Sequence, residues 1–248
     1  MKQAMIFAAG LGTRLKPLTD TMPKALVPVG GQPLLEHIIL KLKAAGFERI
    51  VVNVHHFGQQ IIDYLAAHDH FGLDIRISDE RAELLETGGG LKHARALFDP
   101  SSPILIHNVD ILSDLDLAAL YGAAGALGSA ALAISRRESA SGRYLLFDAD
   151  RHLIGWTSEC TGEVRSPYDD ALARTALRAP FAGIHAFHPS LFPLMDAWPE
   201  RFSIIDFYLS ICRDHVIGGH LDHFRLIDVG KLDSLAEAET FLRQISPQ

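Results

Sequence analysis

Residues 6–29 read IFAAGLGTRLKPLTDTMPKALVPV. The apolar run Ile6-Phe7-Ala8-Ala9 ends at two glycines, Gly10 and Gly12, and the cations Arg14, Lys16 and Lys24 follow among prolines and threonines. A short apolar run bounded by glycine is the pattern of a strand buried on both faces of a parallel sheet. A glycine turn directly after such a strand lets backbone N–H groups approach an anion closely, because glycine accepts positive φ and carries no side chain. Three phosphate-binding turns share that outline. A dinucleotide fingerprint needs a small third residue for close helix–strand packing, and this chain has Leu15 there. A Walker A loop needs G-x-x-x-x-G-K-[ST], which the stretch lacks. The third is a loop whose amides wrap a triphosphate, with Arg14 and Lys24 supplying fixed positive charge.

Outward from the turn, helical and extended patterns alternate. PLLEHIILKLKAAGF carries Leu34, Leu35, Ile38, Ile39 and Leu42 at helical spacing, with Gly46 as a stop. RIVVNV reads as a second strand, GQQIIDYLAAH as a helix, LDIRIS as a third strand, GGGLKHARALF as a glycine-led helix and PILIHNVD as a fourth strand. This β-α-β-α-β-α-β order predicts an α/β fold, a doubly wound and predominantly parallel sheet with helices on both faces. In the second half SAALAIS, RYLLFD, HLIGWTS and FAGIHAF are closely spaced strand-like runs, which predict antiparallel or mixed pairing added to that sheet. SLFPLMDAW, SIIDFYLSICRDH and KLDSLAEAETFLRQI read as helices and LDHFRLIDVG as a last strand. No linker and no repeat interrupts the 248 residues, so one unit is expected.

A net charge of −7 argues against nucleic acid or an anionic membrane as partner, since both select a basic footprint. Cys160 and Cys212 form no CxxC spacing and no disulfide framework; they read as two buried free thiols in a reducing, cytoplasmic setting. MKQAMIFAAG is not a signal peptide, and no apolar run approaches the ~20 residues of a spanning helix. None of the 13 histidines falls in a zinc-binding spacing. Only His55 and His56, at the end of a strand, stand where α/β sheets collect ligands.

The string AAGLGTRLKPLTDTMPKALVPVGGQPLLEH closely resembles the signature G-x-G-x-R-x-x-P-x-T-x-x-x-P-K of sugar-1-phosphate nucleotidyltransferases. That resemblance implies a Rossmann-like mixed sheet of the GT-A-like type, forming a single domain over 1–248. Residues 1–135 would mainly bind nucleotide and 136–248 mainly sugar, with no C-terminal β-helix and a monomer or dimer. It implies that a sugar phosphate oxygen attacks the α-phosphorus of a nucleoside triphosphate and that pyrophosphate leaves. Gly10 and Gly12, with Ala8, Ala9 and Thr13, would cradle the triphosphate. Arg14 would sit over the β- and γ-phosphates and Lys24 over the α-phosphate and the incoming phosphate, as the catalytic pair. Mg2+ would be held by Asp110 and Asp228, each just past an apolar strand, while Asp114 and Asp116 read as cap or turn residues. Asn108 would lie near the ribose or the sugar phosphate, Gly183 of FAGIH would leave room for the hexose, and Arg143 would contact the sugar.

The stretch LLETGGGLKHA resembles the base-side loop of the bacterial N-acetylmuramate α-1-phosphate uridylyltransferase branch. That similarity implies UTP, with Glu86, Thr87, Gly88 and Gly89 beside the base and Glu80 facing it. Three glycines in succession also read as the opening of a helix. Two departures stand out. Val109 replaces the glycine of an N-G-D element, where its bulk disfavours positive φ, and Lys231 replaces the threonine that commonly follows D-x-G. Guanylyl transfer to mannose 1-phosphate is the alternative within the reaction class. A catalytically inert nucleotide-sugar-binding regulator is the alternative outside it.

Overall fold

The computed structural model describes residues 1–135, 138–139 and 141–245. The first half follows the expected alternation. It runs β1 (Lys2–Phe7), a two-residue pair β2 (Pro28–Val29) and β3 (Gln32–Pro33), α1 (Leu34–Ala44), β4 (Phe47–Val54), α2 (Gly58–Ala67), β5 (Asp74–Asp79), α3 (Glu86–His93) and β6 (Ile104–Asn108). Helix α1 buries the five apolar residues that mark its periodicity and stops where Gly46 turns the chain at φ 80°. Next come β7 (Ile111–Ser113), α4 (Leu117–Leu127) and β8 (Ala130–Ile134). Asp116 caps α4 by accepting from the N–H groups of Ala118 and Ala119, as its cap reading expects. The second half adds β9 (Arg143–Phe147), β10 (Leu153–Ser158), β11 (Val164–Arg165), α5 (Asp170–Thr175), β12 (Leu177–Ala179), β13 (Phe181–Phe187), α6 (Ile204–Ile211), β14 (Ile217–Leu221), β15 (Leu226–Asp228) and α7 (Ser234–Ile245).

Seven strands form the central sheet in the order β14-β8-β13-β6-β1-β4-β5. Only β13 runs antiparallel to its neighbours β6 and β8; every other pair is parallel. The sheet divides the interior in two because successive side chains point to opposite faces. Ala4, Ile6, Val52 and Leu105 join α1, α2 and α4 on one face. Met5, Val51 and Ile106 join α3 and α6 on the other. The strand ends Phe7, Asn53 and Asn108 lie in register at one edge, the C-terminal edge where such sheets place their ligands.

The late strands separate into two destinations. SAALAIS and FAGIHAF enter the central sheet as β8 and β13, whereas RYLLFD and HLIGWTS form β9 and β10 of a second antiparallel sheet, β11-β10-β9-β12. A small pair, β15 with β7, sets Asp228 opposite Ile111. Segment Pro189–Met195 is a 3-10 helix with Pro193 inside it, not the α-helix its apolar residues suggest. The edge strand β14 escapes sequence reading because Gly218-Gly219 dilutes its pattern. A Cβ at Gly219 would stand 2.7 Å from Ile134 Cδ1 and 2.9 Å from the Phe147 ring, so the close approach of the two sheets requires the glycine. Of the two thiols, Cys212 is buried and Cys160 is exposed, against the expectation that both are buried. No helix among the described residues is long and apolar enough to cross a membrane.

Candidate active site

Two adjoining clefts open at the C-terminal edge of the central sheet. The first encloses about 440 Å3 and is floored by the glycine turn: Ala9, Gly10, Gly12, Thr13 and Arg14 line it with Lys24, Asn108 and Asp110. The turn has this shape for local reasons. Gly12 adopts φ 63°, and its carbonyl accepts from both Leu15 N–H (2.9 Å) and Thr19 Oγ1 (2.9 Å). A Cβ there would come within 2.9 Å of Lys24 Cβ, so the glycine lets the Lys24 segment close over the turn. Gly10 has open space where a side chain would be. Ala8 is buried beneath the turn and is absent from the lining.

Asn53, at the end of β4, fixes the other side of the floor. Its Oδ1 accepts from Ala8 N–H (2.7 Å) and Ala9 N–H (3.3 Å), and its Nδ2 donates to Glu80 Oε1 at 2.8 Å. Glu80 lines the cleft, and Leu85 N–H donates to its Oε2 at 3.4 Å. Burial raises the Glu80 carboxyl above the ordinary carboxylate range, against the opposing pull of its bonds from Asn53 and Leu85. Asn53 is one of the lining residues that sequence reading missed, with Ser203 and Gly230; the signal for Asn53 was a single amide inside the apolar run RIVVNV.

The cationic and acidic side chains meet at the far wall. Lys24 is only 8% exposed, a burial that lysine tolerates when paired, and its Nζ donates to Asp110 Oδ2 in a salt bridge. Val229 N–H donates to the Asp110 carbonyl at 2.8 Å, which places the Asp228 backbone beside that of Asp110. A Cβ on Gly230 would lie 2.8 Å from both Arg14 Nη2 and Asp228 Oδ1, so Arg14 and Asp228 converge on this glycine. Val109 lines the first cleft without a positive φ, so the valine at this position carries no backbone strain. Among the described residues no group of three or more His, Cys, Asp or Glu side chains could hold a metal. The acidic donors at the wall are two carboxylates. Such a pair suits a hard cation that takes its remaining ligands from phosphate and water oxygens.

The second cleft, about 940 Å3, shares Arg14, Asn108, Ser203 and Gly230 with the first. Gly183 lines it at φ 73°, with its missing Cβ 2.7 Å from Asn108 Nδ2, so only glycine lets β13 pass this close to Asn108. Asp228, Lys231 and Arg143 also line it. The antiparallel sheet supplies one wall. Its register sets Leu145 opposite Trp156, and Trp156 opposite Arg165. The Arg165 guanidinium lies 4.1 Å from the Trp156 ring centroid and donates to Asp206 at 2.5 Å.

The glycines of ETGGG have a different place from the one expected of them. Glu86 and Thr87 line the first cleft, but Gly88 and Gly89 are buried within α3 and do not. Both donate their N–H to the Phe202 carbonyl, at 2.8 and 3.2 Å. A Cβ on Gly88 would stand 2.4 Å from the Phe202 ring, and one on Gly89 2.0 Å from the Glu200 carbonyl oxygen. Their missing side chains are thus explained by packing against residues 200–202, a correction to the expected base cradle. Thr87 Oγ1 accepts from Ile204 N–H at 2.9 Å, and Glu86, at φ 63°, pairs with Arg201. His55 Nδ1 bonds the Glu80 carbonyl at 2.7 Å, and neither His55 nor His56 lines a cleft.

Residues 3–150 match the nucleotidyl transferase family. Over 111 residues the chain is 50% identical to an N-acetylmuramate alpha-1-phosphate uridylyltransferase of Caulobacter vibrioides, an alignment covering 44% of this chain and 46% of that protein. It is 29% identical over 231 residues to a mannose-1-phosphate guanyltransferase of Yarrowia lipolytica, covering 92% of this chain and 61% of that one. The chain spans about half the length of the curated uridylyltransferase relatives it matches. A putative glucose-1-phosphate thymidylyltransferase from Bacillus anthracis superimposes with a TM-score of 0.82 at 17% identity, covering 100% of this chain and 98% of that one. At that identity the likeness speaks for the fold alone.

Proposed function

We infer the function from one premise: this chain belongs to the nucleotidyl transferase family. Its reaction in our reading is transfer of UMP from UTP to a sugar 1-phosphate of the N-acetylmuramate type, with release of pyrophosphate. The observation that carries the reading is the junction of the clefts. Arg14, Asn108, Ser203 and Gly230 line both, so two phosphorylated substrates can meet there, with Lys24 and Asp110 on the first side and Asp228 on the second.

The chemistry asks little covalent work of the protein. A sugar phosphate is largely dianionic near neutral pH, so its oxygen attacks the α-phosphorus without a general base, and the bond to pyrophosphate breaks. The residues position two anions and neutralise the charge that builds between them. The amides of Gly10, Gly12 and Thr13 face the triphosphate. Arg14 forks onto its terminal oxygens, and Lys24 places a point charge where the two substrates approach. Asp110 and Asp228 would hold Mg2+, which supplies Lewis-acid neutralisation of the phosphate charge. Glu80 faces the base with Glu86 and Thr87 at the rim. Gly183 leaves room for the sugar.

Glu80 also supports the second reading, guanylyl transfer to mannose 1-phosphate. Guanine offers a carboxylate two neighbouring donors, N1–H and the N2 amino group, where uracil offers one flanked by two acceptors. The 29% identical guanyltransferase relative points the same way.

The test is pyrophosphate release in the presence of Mg2+. It crosses UTP, GTP, dTTP and CTP with N-acetylmuramic acid 1-phosphate, N-acetylglucosamine 1-phosphate, mannose 1-phosphate and glucose 1-phosphate. Release with UTP and N-acetylmuramic acid 1-phosphate, lost on Lys24→Ala, is the expected result. Release with GTP and mannose 1-phosphate would transfer the assignment to the second reading. Silence throughout, with nucleotide still binding, would make the chain an inert nucleotide-sugar binder.

A further inference from the structure

We propose that Arg143 is the specificity-determining residue for an acidic sugar, binding the carboxylate of a sugar 1-phosphate that carries one. The inference rests on the reading just given and deepens its substrate side. It starts from the register of the antiparallel sheet. Arg143 pairs with Ser158 and Leu145 with Trp156 across β9 and β10, and Trp156 pairs with Arg165 across β10 and β11. Residues two apart on a strand share a face, so Arg143, Leu145, Trp156 and Arg165 stand on one face. All four line the second cleft.

The two arginines differ in what their charge already does. Arg165 is held against the Trp156 ring, donates to Asp206 at 2.5 Å and faces Glu163 at 3.6 Å. Its guanidinium is committed within the protein. The sheet's other carboxylate beside this wall, Glu159, is taken by Arg178 at 3.3 Å. Arg143 makes no ion pair among the described residues; its one contact of note is its backbone N–H donating to Ser139 Oγ at 3.2 Å. An arginine lining a substrate cleft with no carboxylate of its own is a receptor for one from outside, and its planar fork matches a carboxylate bidentately. N-acetylmuramic acid differs from N-acetylglucosamine by a lactyl ether that ends in a carboxylate. The cation that reads this difference must stand away from the phosphate junction. Lys231 and Arg14 are the other lining cations without an ion pair among the described residues; Lys231 follows Gly230 directly and Arg14 lines both clefts, so both sit at that junction.

The experiment measures kcat and KM for pyrophosphate release with UTP and Mg2+. Its two sugar substrates are N-acetylmuramic acid 1-phosphate and N-acetylglucosamine 1-phosphate. The proteins are the unmodified chain, Arg143→Ala, Arg143→Lys and Lys231→Ala. The unmodified chain is expected to prefer the acidic sugar, and Arg143→Ala to reduce that preference in kcat/KM by about 10- to 100-fold, mostly through KM. Arg143→Lys should keep part of it, since the charge survives and the fork does not. The proposal is overturned if the preference is absent from the unmodified chain, survives Arg143→Ala, or disappears in Lys231→Ala instead. Each of these leaves nucleotidyl transfer standing. No release with either sugar would take down the uridylyl transfer reading and, with it, this inference.

Discussion

Gly10 and Gly12 at the end of β1, and Gly88, Gly89 and Gly90 in α3, look alike in sequence and serve opposite needs. The first pair lines a cleft, and at Gly10 the absent side chain leaves that cleft open. Gly10 faces open space, and Gly12 takes a left-handed turn under Lys24. The second group keeps side chains out of a solid. Gly88 and Gly89 press against Phe202 and Glu200, and a Cβ on Gly90 would lie 2.7 Å from Glu80 Oε1. A glycine-rich string after a strand therefore has two physical meanings, an exposed amide or a seam between elements. Only the neighbours across the fold tell them apart.

That distinction can be broken by substitution. Gly89→Ala carries the largest expected effect. Its methyl must displace the Glu200 carbonyl and strain the bonds to the Phe202 carbonyl, which costs about 3 kcal/mol or more of unfolding free energy in a urea titration. Next comes an acid limit set apart from both clusters. Complete burial lowers His185 to about 3, so the folded chain keeps it neutral while the unfolded chain protonates it below its ordinary value of 6.5. The unfolded state binds more protons between these values. Stability is therefore full above pH 6.5 and declines as pH falls towards 3, by about 1.4 kcal/mol per pH unit for each such histidine. His185→Leu should flatten that slope by this amount, and His107, lowered in the same way, should keep its share. An unchanged slope would exclude His185 as a source of acid sensitivity. The smallest stability effect belongs to Gly10→Ala, within about 0.5 kcal/mol, since nothing lies within 4 Å of the added methyl. Its signature is a KM for nucleotide raised about tenfold, because the methyl enters the cleft. Equal losses of stability for Gly10→Ala and Gly89→Ala would erase the contrast.

Legibility followed the range of the physics. The β-α-β alternation of the first half is written in local periodicity, so β1, β4, β5 and β6 stand where the patterns predict them, while the two-residue strands β2 and β3 carry no such pattern. The parallel sheet, the one antiparallel strand and the segregated second sheet depend on which strands find each other, and four similar runs in the second half carried no mark of their two destinations. Strand β14 was hidden because its Gly219 answers to Ile134 and Phe147, residues far away in sequence. In the clefts the motif residues Arg14, Lys24, Asp110 and Asp228 were readable as chemistry. Their convergence through Val229 and Gly230 was not, since it arises from the β7–β15 pairing. Asn53 and Trp156 reach the clefts as side chains of ordinary strand runs, a position no local pattern distinguishes from core.

The lining of the first cleft has a temporal consequence. It draws on Phe7 and the glycine turn at one extreme and on Ser203 and Gly230 at the other, and Val229 closes it by bonding to Asp110. A ribosome that has released residues 3–150, the whole stretch matching the family, has therefore released a sheet edge and both lining cations, Arg14 and Lys24, but not a finished cleft. Loop closure over that separation is slow relative to local helix formation, so completion of the site belongs to the last stage of folding. Lys24 and Asp110, both within that stretch, form their salt bridge on the wall of this cleft, opposite lining that the later residues supply.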